Sequence, residues 1–322
     1  MGEGEAGEPV QLSPDDAFAV LGDETRLGIL QALWEAHDPH ADDDAVPFSE
    51  LYERVGHDDT GNFNYHLGQL TDHFVTQTAT GYTLTGSGFE VVRAVLAGTV
   101  SERPRIDPIA IDSRCPRCGG QIQIYYVNQR TMARCIECAG LFGSDRADGD
   151  YDCLFHLPFP PAGWEDRTPE EVFHATIRYN FHKIAAYRDG VCPYCGGVVD
   201  ETIDVCEDHE TSERDLCPRC DRYHLVEVRE MCRRCKSSEW GPLTIAILTH
   251  PAVTAFYKEH GIEHRFASWE SCLRGGTATD EILETDPLRI RVTIPCEDEK
   301  LHLTLDRELT VHKTVRETSF DG

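Results

Sequence analysis

The side chains best equipped for chemistry in this 322-residue chain are thiols, and their spacing is that of metal ligands. None of the 14 cysteines precedes Cys115, and most arrive in Cys-x-x-Cys pairs. The pair Cys115 and Cys118 is separated from the pair Cys135 and Cys138 by 16 residues, which include the alternating, β-prone stretch 121–127. A tight turn lets two thiolates reach one ion. Two such knuckles joined by strands complete a tetrahedral four-thiolate site, the arrangement of a zinc ribbon. A redox-active Cys-x-x-Cys needs a single pair in a βαβ context, which these pairs do not have. Four thiolates saturate zinc, so the expected role is structural.

A second cluster is richer. Cys192 and Cys195 are followed by Cys206 and His209, then Cys217 and Cys220, then Cys232 and Cys235, at intervals of 10, 7 and 11 residues. Eight ligands suit two ions. Pairing in chain order gives one site of Cys192, Cys195, Cys206 and His209 and an all-cysteine site of Cys217, Cys220, Cys232 and Cys235. A crossed arrangement, first pair with third and second with fourth, is the alternative found in RING-like domains. The seven-residue middle gap is long for such domains and favours chain order. A lone histidine is usually a surface residue, but its Cys-x-x-His spacing inside this array makes His209 a ligand. The expectation is about three structural zinc ions per chain. Cys153, Cys272 and Cys296 stand outside the pairs and read as small buried hydrophobes.

These ligands need elements to carry them. Around the second cluster, "LPFPPAGW" (157–164) reads as a rigid Pro-rich connection leading into a helix from about 169 to 188. A further helix is expected at about 250–260, stopped by Gly261, and residues 281–315 alternate as strands. Ahead of the cysteines, Pro14 follows the capping Ser13, Asp23 caps a helix with Leu27, Leu30 and Trp34, and Ser49 caps a short helix that Gly56 closes. In the stretch 60–70, Phe63, Leu67 and Leu70 make one apolar stripe. Asn62, His66 and Gln69 recur on another face, with Thr60, Asn64 and Tyr65 beside them. That face has few charges and many hydrogen-bonding groups, which suits reading base edges in a major groove. A hairpin over 75–84 with Thr80-Gly81 at its turn, then a last helix started by Thr85 or Ser87, complete the segment.

The ordered strings "LGDETRLGILQAL" (21–33), "FSELYERVG" (48–56), "GNFNYHLGQL" (61–70) and "YTLTGSG" (82–88) resemble the ArsR-type winged helix-turn-helix regulators. The resemblance covers about 13–98. It implies a homodimer that binds double-stranded DNA, with the 60–72 helix in the major groove and the hairpin touching the backbone. Metal-sensing members carry a cysteine pair on the helix before the recognition helix; here that helix has none, so metal sensing is not carried over. The order of ribbons, "LTHPAVTAFYKEHG" and terminal strands is similar to C-terminal regions of haloarchaeal ArsR-like proteins.

Charge bears on this expectation. Asp and Glu total 57 against 30 Lys and Arg, a net charge of −27, and such an excess repels phosphates. In molar salt the Debye length shrinks to about 3 Å and that repulsion is screened. The acidic, Lys-poor composition is similar to that of halophilic archaeal proteins. Arginines gather near the knuckles, over 103–134 and 214–236, either as phosphate contacts or as neutralisers of the negative zinc–thiolate centres.

The fold class expected is α+β. The organisation read from the sequence is a disordered tail (1–12), a winged helix-turn-helix domain (13–100) and a zinc ribbon (101–150). A Pro-rich linker with a helix (151–190), a double zinc module (191–239) and a small α+β unit (240–322) follow. No apolar run approaches the roughly 20 residues that span a bilayer, and the acidic start is unlike a signal peptide, so a cytoplasmic setting is expected. The function expected is that of a DNA-binding transcription regulator with structural zinc. The alternative is an adaptor whose ribbons bind protein or RNA while the winged helix holds a dimer. No enzyme is expected, because catalytic zinc keeps a position for water and these ligand sets are filled.

Overall fold

The computed structural model describes residues 12–142, 153–212, 215–262 and 277–318. The tail assigned to 1–12 falls almost wholly outside the described residues, and Cys272 lies outside them too. The fold is mixed α+β and divides into two compact units, Met1–Glu102 and Arg103–Gly322. No described helix is long and apolar enough to cross a membrane.

The first unit is built from α1 (Pro14–Leu21), α2 (Glu24–Ala36), α3 (Phe48–Val55), α4 (Thr60–Leu70), the hairpin strands β1 (Val75–Gln77) and β2 (Tyr82–Leu84), and α5 (Gly86–Leu96). Side chains cap four of these helices. Ser13, Asp23, Asp59 and Thr85 each accept a hydrogen bond from a backbone N–H in the first turn of the helix that follows. Ser49 does not serve as a cap: Pro47 occupies that position, and the helix already begins at Phe48. Gly56, at φ +69°, ends α3 in the left-handed region, and only three residues then separate it from α4. Phe63, Leu67 and Leu70 of α4 pack with Ile29, Leu30 and Leu33 of α2 and Leu51 of α3 in one core. The hairpin turn closes with Thr78 N–H donating to Gly81 O, and β2 gains a further bridge to Val46.

Among the described residues, the second unit contains three antiparallel sheets. Strands β3 (Ile106–Arg114), β4 (Gln121–Val127), β5 (Arg130–Cys135) and β6 (Cys153–Pro158) form the first, in chain order. The segment read from sequence as the start of a linker is therefore the fourth strand of the ribbon sheet. Its Phe155, His156 and Leu157 pair with β5, while Leu154 and Phe155 join the core beside the sheet. Helix α6 (Pro169–Arg188) starts from a capping box of Thr168 and Glu171 and lays Val172, Phe173 and Ile177 on that sheet.

The second sheet is β7 (Val199–Val205), β8 (Val226–Cys232) and β9 (Ser238–Pro242). A short α7 (Leu243–Ala246) and α8 (Pro251–Glu259) lead to the third sheet. Its strands are β10 (Thr279–Thr285), β11 (Leu288–Cys296), β12 (Glu299–Leu305) and β13 (Val311–Thr318). Alternate residues Ile290, Val292 and Ile294 of β11 and Leu301, Leu303 and Leu305 of β12 face a core shared with Phe256 of α8, Val226 and Val228 of β8, and Phe181 of α6. Helix α6 thus contributes to two cores and joins the cysteine-bearing sheets to the terminal one.

Candidate metal centres

Four knuckles share one backbone circuit. Cys115 N–H donates to Gly120 O and Gly119 N–H returns to Cys115 O, both at 2.9 Å. The same exchange links Cys192 with Gly197 and Gly196, Cys217 with Arg222 and Asp221, and Cys232 with Ser237 and Lys236. The fourth residue after each leading cysteine takes a positive φ: Gly119 +73°, Gly196 +65°, Asp221 +54° and Lys236 +61°. Two of the four positions are therefore glycine and two accept the cost of a left-handed side chain.

Three ligand sets result: Cys115, Cys118, Cys135 and Cys138; Cys192, Cys195, Cys232 and Cys235; and Cys206, His209, Cys217 and Cys220. Within each set the donor atoms lie within 4.8 Å of one another. A tetrahedral ion with metal–sulfur distances of ~2.3 Å spaces its sulfurs ~3.8 Å apart, and a sulfur and an imidazole nitrogen ~3.6 Å apart. Cys115 and Cys138 stand 3.7 Å apart and Cys118 and Cys135 3.5 Å. Cys192 and Cys235, like Cys195 and Cys232, are separated by 3.6 Å. His209 Nδ1 lies 3.5 Å from Cys220 Sγ. These separations are the edges of tetrahedra sized for a four-coordinate metal ion, and the donor sets fit one.

Every cysteine and histidine singled out by spacing thus reaches a site, but the second cluster pairs differently from either arrangement considered above. The first pair joins the fourth and the second joins the third. The reason is the hairpin of β7 and β8, which pairs Val199 with Cys232 at one end and Val205 with Val226 at the other. Cys192 and Cys195 precede β7 and meet the knuckle that ends β8. Cys206 follows β7 directly and meets Cys217 and Cys220 in the loop before β8. A seven-residue strand rises roughly 3.3 Å per residue, so the two centres sit about 20 Å apart. The missed signal was the alternation of "VDETIDV" and "VEVREMC", which marks two strands flanking the inner pairs.

Groups around the ligands prepare them. The ring of His209 lies with Nε2 3.1 Å from Tyr223 O, a geometry in which Nε2–H donates and Nδ1 keeps its lone pair for the site. The Ser237 hydroxyl lies 3.2 Å from Cys192 Sγ and 3.1 Å from Cys235 Sγ. Burial pushes the Cys192 thiol up, but the Ser237 hydroxyl and the Tyr194 and Cys195 N–H groups outweigh it and hold the thiol down at about 6. By contrast, burial alone pushes the isolated Cys153 up to about 12, so it is an inert thiol, in line with its reading as a small core residue. Cys296 is buried as well.

The arginines near the knuckles are mostly occupied within the chain. Arg117 donates to Gly140 O at 2.6 Å and Ser212 O at 3.1 Å, and stacks over Tyr223 at 4.3 Å. That tie links the ribbon of Cys115 to the loop bearing His209. Arg222, only 4 % exposed, pairs with Glu227 at 3.3 Å and Asp204 at 3.1 Å; burial works against its charge, but Cys220 and these two carboxylates outweigh it and hold the guanidinium's pKa up. Arg219 and Arg233 pair with Asp208 and Asp200. Their partners favour charge neutralisation and cross-linking over phosphate contact.

In the first unit, Thr60, Asn62, Asn64, Tyr65 and Gln69 of α4 are exposed. His66 is not on that free face. Its side chain is 11 % exposed and its Nδ1 lies 3.3 Å from Asp23 Oδ1, the residue that caps α2.

A family described as a domain of unknown function, DUF7351, matches residues 112–311, the span of all three ligand sets. A second domain of unknown function, DUF7347, matches residues 14–95, the helices and hairpin of the first unit. No curated protein matches the chain.

Proposed function

We propose that this chain, which belongs to the DUF7351 family, is a DNA-binding transcription regulator whose three tetrads hold structural zinc. The observation that carries the reading is α4. Its apolar stripe is anchored in the core while Asn62, Asn64, Tyr65 and Gln69 stand exposed, directly after the tight α3–α4 turn and directly before a hairpin. That order supports the winged helix-turn-helix reading, in which such a helix enters the major groove and the hairpin lies along the backbone. Amide side chains at these positions suit bidentate reading of adenine. Exposed Phe18 on α1, Leu27 on α2, Leu96 at the end of α5 and Val100 in the turn after it supply apolar surface for a homodimer. Thiolate-rich tetrads filled by protein ligands suit zinc as folding architecture, with no position kept for water.

Residues 1–100 hold 18 acidic side chains against three basic ones, Arg26, Arg54 and Arg93, and that repulsion of phosphate favours a second reading, an adaptor that binds protein or RNA through the ribbons. The discriminating experiment is a competition assay of the full chain against duplex genomic fragments, its own upstream region included, in molar KCl. The regulator reading expects at least one duplex to compete well above random DNA there. Uniform competition by all duplexes would transfer the function to the adaptor.

A further inference from the structure

Between helix α6, the ribbon sheet and strand β9 lies a cavity of about 120 Å³ that no metal ligand lines. One face of α6 forms a wall: Ile177, Phe181, Ile184 and Arg188 recur at helical spacing. Phe142, Phe155 and Trp240 close the opposite side, so most of the lining is hydrocarbon. At one end the chemistry changes. Glu201 pairs with Glu230 across β7 and β8, and Glu230 with Glu239 across β8 and β9, which sets three carboxylates in a row along the sheet. Like charges at directly opposed positions repel unless cations intervene.

Arg188 is the one cation within ion-pair distance of this row among the described residues, and it is committed chiefly to Glu201, at 2.7 Å. Glu230 has a side chain only 1 % exposed, yet its Oε1 accepts no hydrogen bond; Arg188 Nε stands 3.3 Å away in poor geometry. Glu230 and Glu239 both line the cavity. A buried carboxylate oxygen without a donor is costly and invites one. Burial also pushes the Glu239 carboxyl up to about 6, the mark of an anion short of counter-charge. Glu230, Glu239 and Trp240 also line an adjoining, more open cleft of about 540 Å³, which offers a route of entry.

We propose that this cavity binds a small lipophilic amine, with its hydrocarbon body between Phe142, Phe155 and Trp240 and its ammonium group donating to Glu230 and Glu239. The volume sets the scale: a cavity of ~150 Å³ accommodates benzene, so a single ring fills this one and the ammonium group lies at its mouth, where Glu230 and Glu239 also line the adjoining cleft. The ammonium supplies the donors that Glu230 lacks and the second cation that three carboxylates and one guanidinium call for. The site is independent of the DNA-binding reading.

The test is calorimetric titration of the zinc-loaded full chain with benzylamine, benzyl alcohol and benzoate at matched KCl. Benzylamine is expected to bind saturably, with the isosteric alcohol weaker by about tenfold or more and benzoate weaker still. Glu239→Gln, at a half-buried position, is expected to weaken benzylamine by about tenfold, and Ile184→Trp, which fills the cavity from α6, to abolish binding. Zinc content and circular dichroism verify that both variants are folded. Absence of saturable benzylamine binding to the native chain would overturn the proposal. So would equal affinity for the alcohol, or native affinity in either folded variant.

Discussion

His209 illustrates how much a single side chain is asked to do. It supplies the one nitrogen among twelve ligand positions, and its Tyr223 partner fixes which nitrogen faces the site. Replacing it with alanine should lower the zinc content from about three to about two per chain, whereas His209→Cys should retain three, measured by elemental analysis after exhaustive dialysis. Full zinc content in His209→Ala would remove it from the ligand set.

A second residue-scale expectation concerns pH. Asp306 sits in the turn between β12 and β13, where its carboxylate accepts from the Glu308 and Thr310 N–H groups and meets His312 Nε2 at 2.5 Å. Burial pushes its carboxyl up, but His312 and these amides outweigh it and hold the group below the usual aspartate range. Near pH 4 the unfolded chain then binds more protons than the folded one, so stability rises with pH. The advantage of the native chain over Asp306→Asn should be complete above the ordinary aspartate value of about 4 and vanish as the pH falls below it. Melting curves of both proteins across that range measure it, and a pH-independent difference would refute the assignment.

Among the elements, the β7–β8 hairpin decides the metal topology. Because it brings Cys192 and Cys232 to the same end, the double variant Cys192→Ser/Cys232→Ser should lose about one zinc, and Cys192→Ser/Cys206→Ser about two. Pairing in chain order requires the reverse. The elements also show what a sequence can carry. Caps at Ser13 and Asp23, the start of the last helix of the first unit to within two residues (Thr85 or Ser87), the 169–188 helix and the terminal alternating strands were legible because they depend on local chemistry. Each Cys-x-x-Cys was legible too, since a knuckle is a local turn. Which knuckles meet was not, because that is settled by a pairing between strands about twenty residues apart, and the intervals between ligands do not encode it. Likewise the prolines of 157–164 mark 151–190 as a linker with a helix, although 153–158 pairs with β5 at a sheet edge, a partner that lies outside the segment. His66 shared the spacing of Asn62 and Gln69, but the position of Asp23 on another helix turned it inward.

At the scale of the whole molecule, the candidate metal sites and the helix proposed to read DNA fall in different units. Among the described residues, all three ligand sets lie in Arg103–Gly322 and none in Met1–Glu102. Chelation should therefore strip hydrogen-exchange protection from the sheets that carry residues 115–235 while leaving α2, α4 and α5 protected. Equal loss of protection in both units would show that the first depends on metal after all. The charge of −27 sets the conditions under which the chain should be assayed, since phosphate repulsion in dilute buffer would mask the base-edge contacts proposed for α4, and screening removes that repulsion.

The claim that α4 reads DNA is tested most directly by replacing Asn62, Asn64 and Gln69 together with alanine and measuring duplex binding in molar KCl. These side chains are exposed and support no core contact, so the variant should fold and bind zinc as the native chain does. Each lost base contact is worth about 1–3 kcal/mol, so preference for the selected duplex over random DNA should disappear. Undiminished preference in the folded variant would contradict the account and place recognition elsewhere in the molecule.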